Sequence, residues 1–189
     1  MPSIVAHAVA GAALATAAFS PRAAPRRVWI TAAIVAAVPD VDAIGRPFGN
    51  LAIEASFGGH RGFTHSVMFA LIAGAITTWG FFRIPEGSGL HRRLFLALAL
   101  AIASHGVLDA LSTIGNGVAF WAPFSWTHYE FRWQPLGEIG PGPRGPERAF
   151  DIVANEFFWV GLPSLIVVAI ARWIRREHVG DLPASLRQN

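Results

Sequence analysis

The chain has 189 residues, enough for one domain, and 53% of them are hydrophobic while only 14% are charged, a balance too apolar for an ordinary soluble protein. It contains no cysteine, which excludes disulfides and thiolate ligands and leaves histidine, carboxylates and other oxygen donors for any metal. The formal charge of +3 is carried by fifteen arginines and no lysine, and their placement beside apolar stretches reads as membrane topology, with no nucleic-acid partner.

Five stretches approach the roughly 20 apolar residues that cross a bilayer core of about 30 Å as a helix: residues 4–19, 28–44, 66–82, 94–111 and 156–174. The expected fold class is all-α, a polytopic membrane bundle of about five spans. It forms a single domain over 1–189, with a polar cytoplasmic tail at 177–189. The first stretch lacks the basic region that opens a signal peptide, so it is expected to be retained as a span. Pro21 and Pro25 leave only a short turn before the second, which makes the pair antiparallel.

Pro39-Asp40-Val41-Asp42 closes the second span, where the proline ends or kinks the helix and releases carbonyls. Two carboxylates one residue apart do not point the same way from a regular helix. One is therefore expected to ligate while the other orients a histidine or caps the loop. In the loop 45–65, Gly49, Gly58, Gly59 and Gly62 mark irregular backbone folded closely against a neighbour. His60-Arg61-Gly62-Phe63-Thr64-His65-Ser66 then opens the third span, with Thr64 the expected helix cap. A spacing of five keeps His60 and His65 off one helical face, so His60 belongs to the loop and Gly62 permits the turn.

Pro85, Gly87 and Gly89 break the chain between spans three and four. Near the end of the fourth, His105 and Asp109 stand four apart, on one helix face and within reach of one ion. The segment 112–155 holds Trp121, Trp126, Tyr129, Trp133 and a Pro/Gly stretch at 135–146. Such aromatics favour the membrane–water interface, and the segment is expected to lie over the bundle as a lid on the extracytoplasmic side. Asn155 and Glu156 start the fifth span, Glu156 as a further ligand or as a cap.

Ten arginines (Arg22, Arg26, Arg27, Arg83, Arg92, Arg93, Arg172, Arg175, Arg176 and Arg187) follow spans one, three and five, whereas Arg46, Arg61, Arg132, Arg144 and Arg148 lie in the other segments. The positive-inside rule then places the amino terminus outside and the carboxyl terminus in the cytoplasm. With that topology His7, Asp40, Asp42, His60, His65, His105 and Asp109 all fall at the outer leaflet. Ionisable groups beside apolar spans are costly, and a convergent set of them marks a site.

The strings HRGFTHS, PDVD and SHGVLDALSTIGNG, with PFS at 123–125, resemble the inner-membrane, LexA-regulated, metal-dependent hydrolase family also known as domain of unknown function 457. That resemblance spans 7–125 and implies metal ligation by Asp40, His60, His65, His105 and Asp109, with His7 and Asp42 as additions. More remotely the arrangement is similar to the all-helical zinc-dependent phospholipases C, which also use a His and an Asp four apart. Their later HxxxE pair has no match here; the nearest residues are His128 and Glu156.

A donor set of histidines and carboxylates suits zinc, and a carboxylate-rich subset admits manganese or magnesium. Zinc lowers the pKa of bound water toward about 7 and supplies hydroxide for an ester or phosphoester. Asp42 is the expected general base, and Arg61 or Arg132 the holder of a phosphate oxygen. Depth at the headgroup level points to membrane lipid, or a lipid-linked molecule, as substrate; no protein partner is expected. The chain has no HExxH, GxSxG or GxxxxGK[ST] string. The competing expectations are a small ion or metal transporter, which needs polar residues along the spans, and a membrane module in which metal serves stability alone.

Overall fold

The computed structural model describes residues 2–20, 25–44, 52–83, 89–137 and 146–180. Arg22, Arg46, Arg144, Arg187, Pro21, Pro85, Gly49, Gly87, most of the Pro/Gly stretch and residues 181–189 of the expected tail lie outside these. The described residues are helical, without a β-strand: α1 (Ile4–Ala18), α2 (Arg27–Ala37), α3 (Ala52–Ser56), α4 (Val67–Phe81), α5 (Leu90–Ala110), α6 (Pro146–Glu156) and α7 (Leu162–Gly180).

Local chemistry sets the ends that matter for the site. Ser3 caps α1, its hydroxyl accepting from the Ala6 amide at 3.2 Å, and Ser66 caps α4 by accepting from Phe69 N at 3.1 Å. Ser66 thus takes the cap expected of Thr64. The Thr64 side chain is buried and donates to Asp42 instead, because residues 63–65 form a 3-10 turn ahead of the helix. The second stretch is shorter as an α-helix than its apolar length suggested. It stops at Ala37, and Pro39 sits near the start of a 3-10 turn, Val38–Ala43, since proline lacks the N–H that would continue the α ladder. Helix α5, the expected fourth span, starts earlier than expected, at Leu90.

Helices α1, α2, α4 and α5 share one core, built on Ala15, Phe19, Ala32, Ala36, Ala70, Leu94, Leu98 and Ile102. So many alanines let the backbones approach closely, the usual way helices pack in membranes. Helix α7 lies against α1, and Arg175 donates to the Thr16 carbonyl across that contact. Two helical stretches, Leu90–Ala110 and Ala149–Arg175, are long and apolar enough to cross a membrane; Ile4–Ala18 and Val67–Phe81 are apolar but shorter.

The loop that follows α5 folds back on the end of that helix. Thr113 N donates to Leu136 O at 2.7 Å, Leu136 N to Leu111 O at 3.1 Å and Phe131 N to Ala110 O at 3.1 Å. Its middle is joined to the segment before α4, through Ala119 N to Arg61 O at 2.9 Å and Val67 N to Phe120 O at 3.0 Å. Residues 112–137 therefore cover the end of the bundle at which α5 finishes and α4 begins.

Candidate metal centre

At that end four separate stretches of chain converge. Helix α1 brings His7, the turn after α2 brings Asp40 and Asp42, the turn after α3 brings His60 and Arg61, the 3-10 turn before α4 brings Thr64 and His65, and α5 brings His105 and Asp109. His7, His65, His105, Asp42 and Asp109 are all buried. The HxxxD pair does share a face, with His105 Nε2 at 3.9 Å from Asp109 Oδ2.

The inward-facing atoms form one constellation. His105 Nε2 is 3.3 Å from Asp40 Oδ1, His65 Nε2 is 3.3 Å from Asp109 Oδ2 and 3.8 Å from Asp40 Oδ1, and His7 Nε2 is 3.8 Å from Asp109 Oδ1. His7 also stacks on His105, their ring centroids 3.6 Å apart. These nitrogens and oxygens are buried and have no hydrogen-bond partner. Burying polar atoms unsatisfied is costly, and a cation between them removes the cost. Bonds of about 2.0 Å in a tetrahedral site place neighbouring ligand atoms about 3.3 Å apart, the spacing of the His105–Asp40 and His65–Asp109 pairs, while the other pairs stand at 3.8 Å.

Two ligand groups emerge, Asp40 with His60, His65 and Asp109, and Asp40 with His7 and His105. Asp40 belongs to both. The residues present fit a divalent metal by donor type and convergence, and the inward atoms of His7, Asp40, His65 and His105 have no hydrogen-bond partner, so a buried His/Asp group here can hold one.

Outer contacts fix the imidazoles. His105 Nδ1 lies 2.7 Å from the Ala36 carbonyl, an oxygen of the last α2 turn freed by the change to 3-10 geometry. Donation there leaves Nε2 as the basic nitrogen. His60 Nδ1 lies 2.8 Å from Asp42 Oδ1, and the other Asp42 oxygen accepts from the Thr64 hydroxyl at 2.6 Å. Both oxygens of Asp42 are thus engaged, the geometry of a group that orients a ligand. His65 lies outside the helical spans. Burial disfavours its charged form, but the neighbouring carboxylates of Asp109 and Asp40 outweigh that and raise its pKa above the ordinary 6.5.

Arg61 is buried with its Nε 3.1 Å from Asp109 Oδ2, while both terminal nitrogens lack a hydrogen-bond partner. Its backbone is left-handed, φ 67°, a conformation costing a non-glycine residue on the order of 1–3 kcal/mol. Gly62, expected to supply the turn, serves by having no side chain, since a Cβ there would sit 2.4 Å from the Phe57 carbonyl. Gly115 closes over the guanidinium in the same way: a Cβ would lie 2.5 Å from an Arg61 terminal nitrogen.

The other expected residues fall elsewhere. Arg132 is exposed on the loop and makes no ion pair with another described residue. Glu156 binds Ser3, accepting from its hydroxyl at 2.6 Å, and so ties α6 to the start of α1. Sequence reasoning passed over the Ala36 carbonyl and misread Thr64. The one signal for the first was Pro39, whose effect on the helix was legible although its recipient was not.

Fold and site together define an all-helical membrane protein with a buried His/Asp cluster able to hold a metal ion. The family model described as YdjM inner membrane protein matches residues 1–177, and the chain belongs to that family. It is 30% identical over 186 residues to the inner membrane protein YbcI of Escherichia coli (strain K12), covering 93% of this chain and 100% of the relative. No solved structure matches the chain.

Proposed function

We propose that this protein is a membrane-bound metal-dependent hydrolase acting on an ester or phosphoester of a lipid-like substrate at the membrane surface. The observation that carries this reading is the set of buried, mutually facing histidine and carboxylate atoms without hydrogen-bond partners. His7, Asp40, His60, His65, His105 and Asp109 are the ligands, for one or two zinc ions, with manganese and magnesium as the other fitting metals. When bound, the metal supplies a water activated near neutral pH and draws charge from the scissile group's oxygen.

The remaining roles belong to the chain's own residues. Asp42, seated between His60 and Thr64, is a positioning residue that holds the His60 ring. The unpartnered nitrogens of Arg61 hold a phosphoryl oxygen through paired hydrogen bonds. Water adds across the ester, and the leaving oxygen departs with a proton. Five spans, an external amino terminus and a cytoplasmic carboxyl terminus place the site at the outer leaflet, supported by the arginine distribution.

The apolar core behind the cluster, built on Ala32, Ala36, Leu98 and Ile102, speaks against an ion pathway down the spans. Elemental mass spectrometry of the detergent-purified protein, beside a folded His105→Ala/Asp109→Ala variant, tests the reading. Stoichiometric metal lost in the variant, with hydrolysis of a phosphoester lost alongside, is the expected result. Absence of metal after incubation with excess zinc and manganese overturns it.

A further inference from the structure

A cleft of about 610 Å³ opens between the start of α1 and the end of α2, lined by Ile4, Ile34, Val38, Val41, Ile44 and, on its inner wall, Asp40. That volume lies within the range of about 300–1,000 Å³ typical of small-molecule sites. We propose that this cleft receives the hydrocarbon chain of an amphiphilic phosphoester and delivers its phosphoryl group to the metal cluster at Asp40; the proposal rests on the hydrolase reading above.

Asp40 joins the two regions. Its side chain is 14% exposed, against 8% for His60 and 0% for His7, His65, His105 and Asp109, so the cluster is most open at Asp40. One side of the carboxylate faces His105 and His65 at 3.3 and 3.8 Å. Among the described residues that line the cleft it is the only ionisable one.

The character of that wall selects the occupant. Among its described residues the other polar side chain is Ser3, already bound to Glu156 and to the Ala6 amide. A peptide would bring backbone groups that find no partners there, whereas a hydrocarbon chain needs none. At the mouth, Ile4, Ile34 and Ile44 are 64%, 60% and 57% exposed. In a member of an inner membrane protein family, such a surface meets lipid. Beyond Asp40, on the Asp109 side, Arg61 offers its unpartnered nitrogens to an anionic group. The apolar surface complements a hydrocarbon chain, and the metal-binding and cationic groups beyond it complement an anionic phosphoryl group, as an alkyl or isoprenyl phosphoester would present them.

Butyl, octyl and dodecyl phosphate are suitable probes, their binding to the full-length, zinc-incubated protein counted by native mass spectrometry. A fully buried methylene tightens binding about fourfold, so burial of two of the methylenes added from butyl to dodecyl raises affinity by more than about tenfold, the rise expected. Two variants that fill the cleft, Ala43→Trp and Ile34→Trp, are expected to abolish that rise. Both should keep wild-type metal content and butyl phosphate binding. A wild type indifferent to chain length overturns the proposal, and so does a rise that survives both variants. Metal content and turnover of bis(p-nitrophenyl) phosphate, measured alongside, separate the two ideas. Metal and turnover without chain-length dependence defeat the cleft alone; a protein that takes up no metal defeats both.

Discussion

Helix α5 and the helical stretch through α7 pass the same test of length and apolarity for crossing a membrane, yet 56% of the first apolar window is buried inside the protein and 11% of the second. Helix α5 packs on α1, α2 and α4, and its end carries His105 and Asp109 into the cluster. Helix α7 presents Leu165, Ile166, Ile170 and Trp173 outward. Hydropathy alone does not separate the two, because lipid and a protein core are equally apolar surroundings. What separates them is the pair of ionisable groups four residues apart, which is tolerable at that depth only when enclosed and partnered.

The largest effect expected on this contrast is that of His105→Ala/Asp109→Ala on α5, which removes stoichiometric metal and with it phosphoester turnover, read by elemental mass spectrometry and a release assay. Arg61→Lys sharpens the contrast within the cluster. Metal content stays while turnover falls about 10²–10³-fold, the usual loss for one preorganised donor to developing charge, since an ammonium does not reproduce the planar fork. Asp42→Asn leaves every ligand in place but loosens the His60 ring, and zinc affinity measured against a chelator should drop about 10–100-fold.

Protons compete with metal for the same nitrogens. Because the metal-free His65 pKa lies above 6.5, zinc affinity is expected to be highest above that raised value. It should fall by up to about tenfold per pH unit as the pH drops through it, a loss visible in the same chelator titration. The smallest effect belongs to α7: Ile166→Ser on its exposed face should change the stability of the purified protein by no more than about 0.5 kcal/mol, with metal content untouched. A loss of metal in that variant would break the division between a site-bearing helix and a peripheral one.

Much of the site was legible in the chain. The i, i+4 rule placed His105 and Asp109 on one face, and the spacing of five rightly put His60 on a loop before His65. The even spacing of Asp40 and Asp42 implied unlike roles, and the structure gives one carboxylate to the ligand cluster and the other to His60. Less was legible where backbone geometry depends on distant partners. Besides Gly58 and Gly59, Arg61 and not Gly62 takes a left-handed conformation, held by Ala119 N on its carbonyl and Asp109 beside its guanidinium. Thr64 turns inward because Asp42 is there to accept its hydrogen bond.

By itself the sequence determined an apolar helical protein without thiolate chemistry, the family to which it belongs, and the residue types available to a metal. Those follow from composition, periodicity and short-range spacing, which act within a turn or two of helix. Only the tertiary structure decided that His7 stacks on His105, that Asp40 stands between the cluster and an apolar cleft, and that the Ala36 carbonyl holds an imidazole 69 residues away. Each of these contacts joins different segments of the chain. Side chains far apart in sequence acquire a common geometry only when close helix packing brings their backbones together.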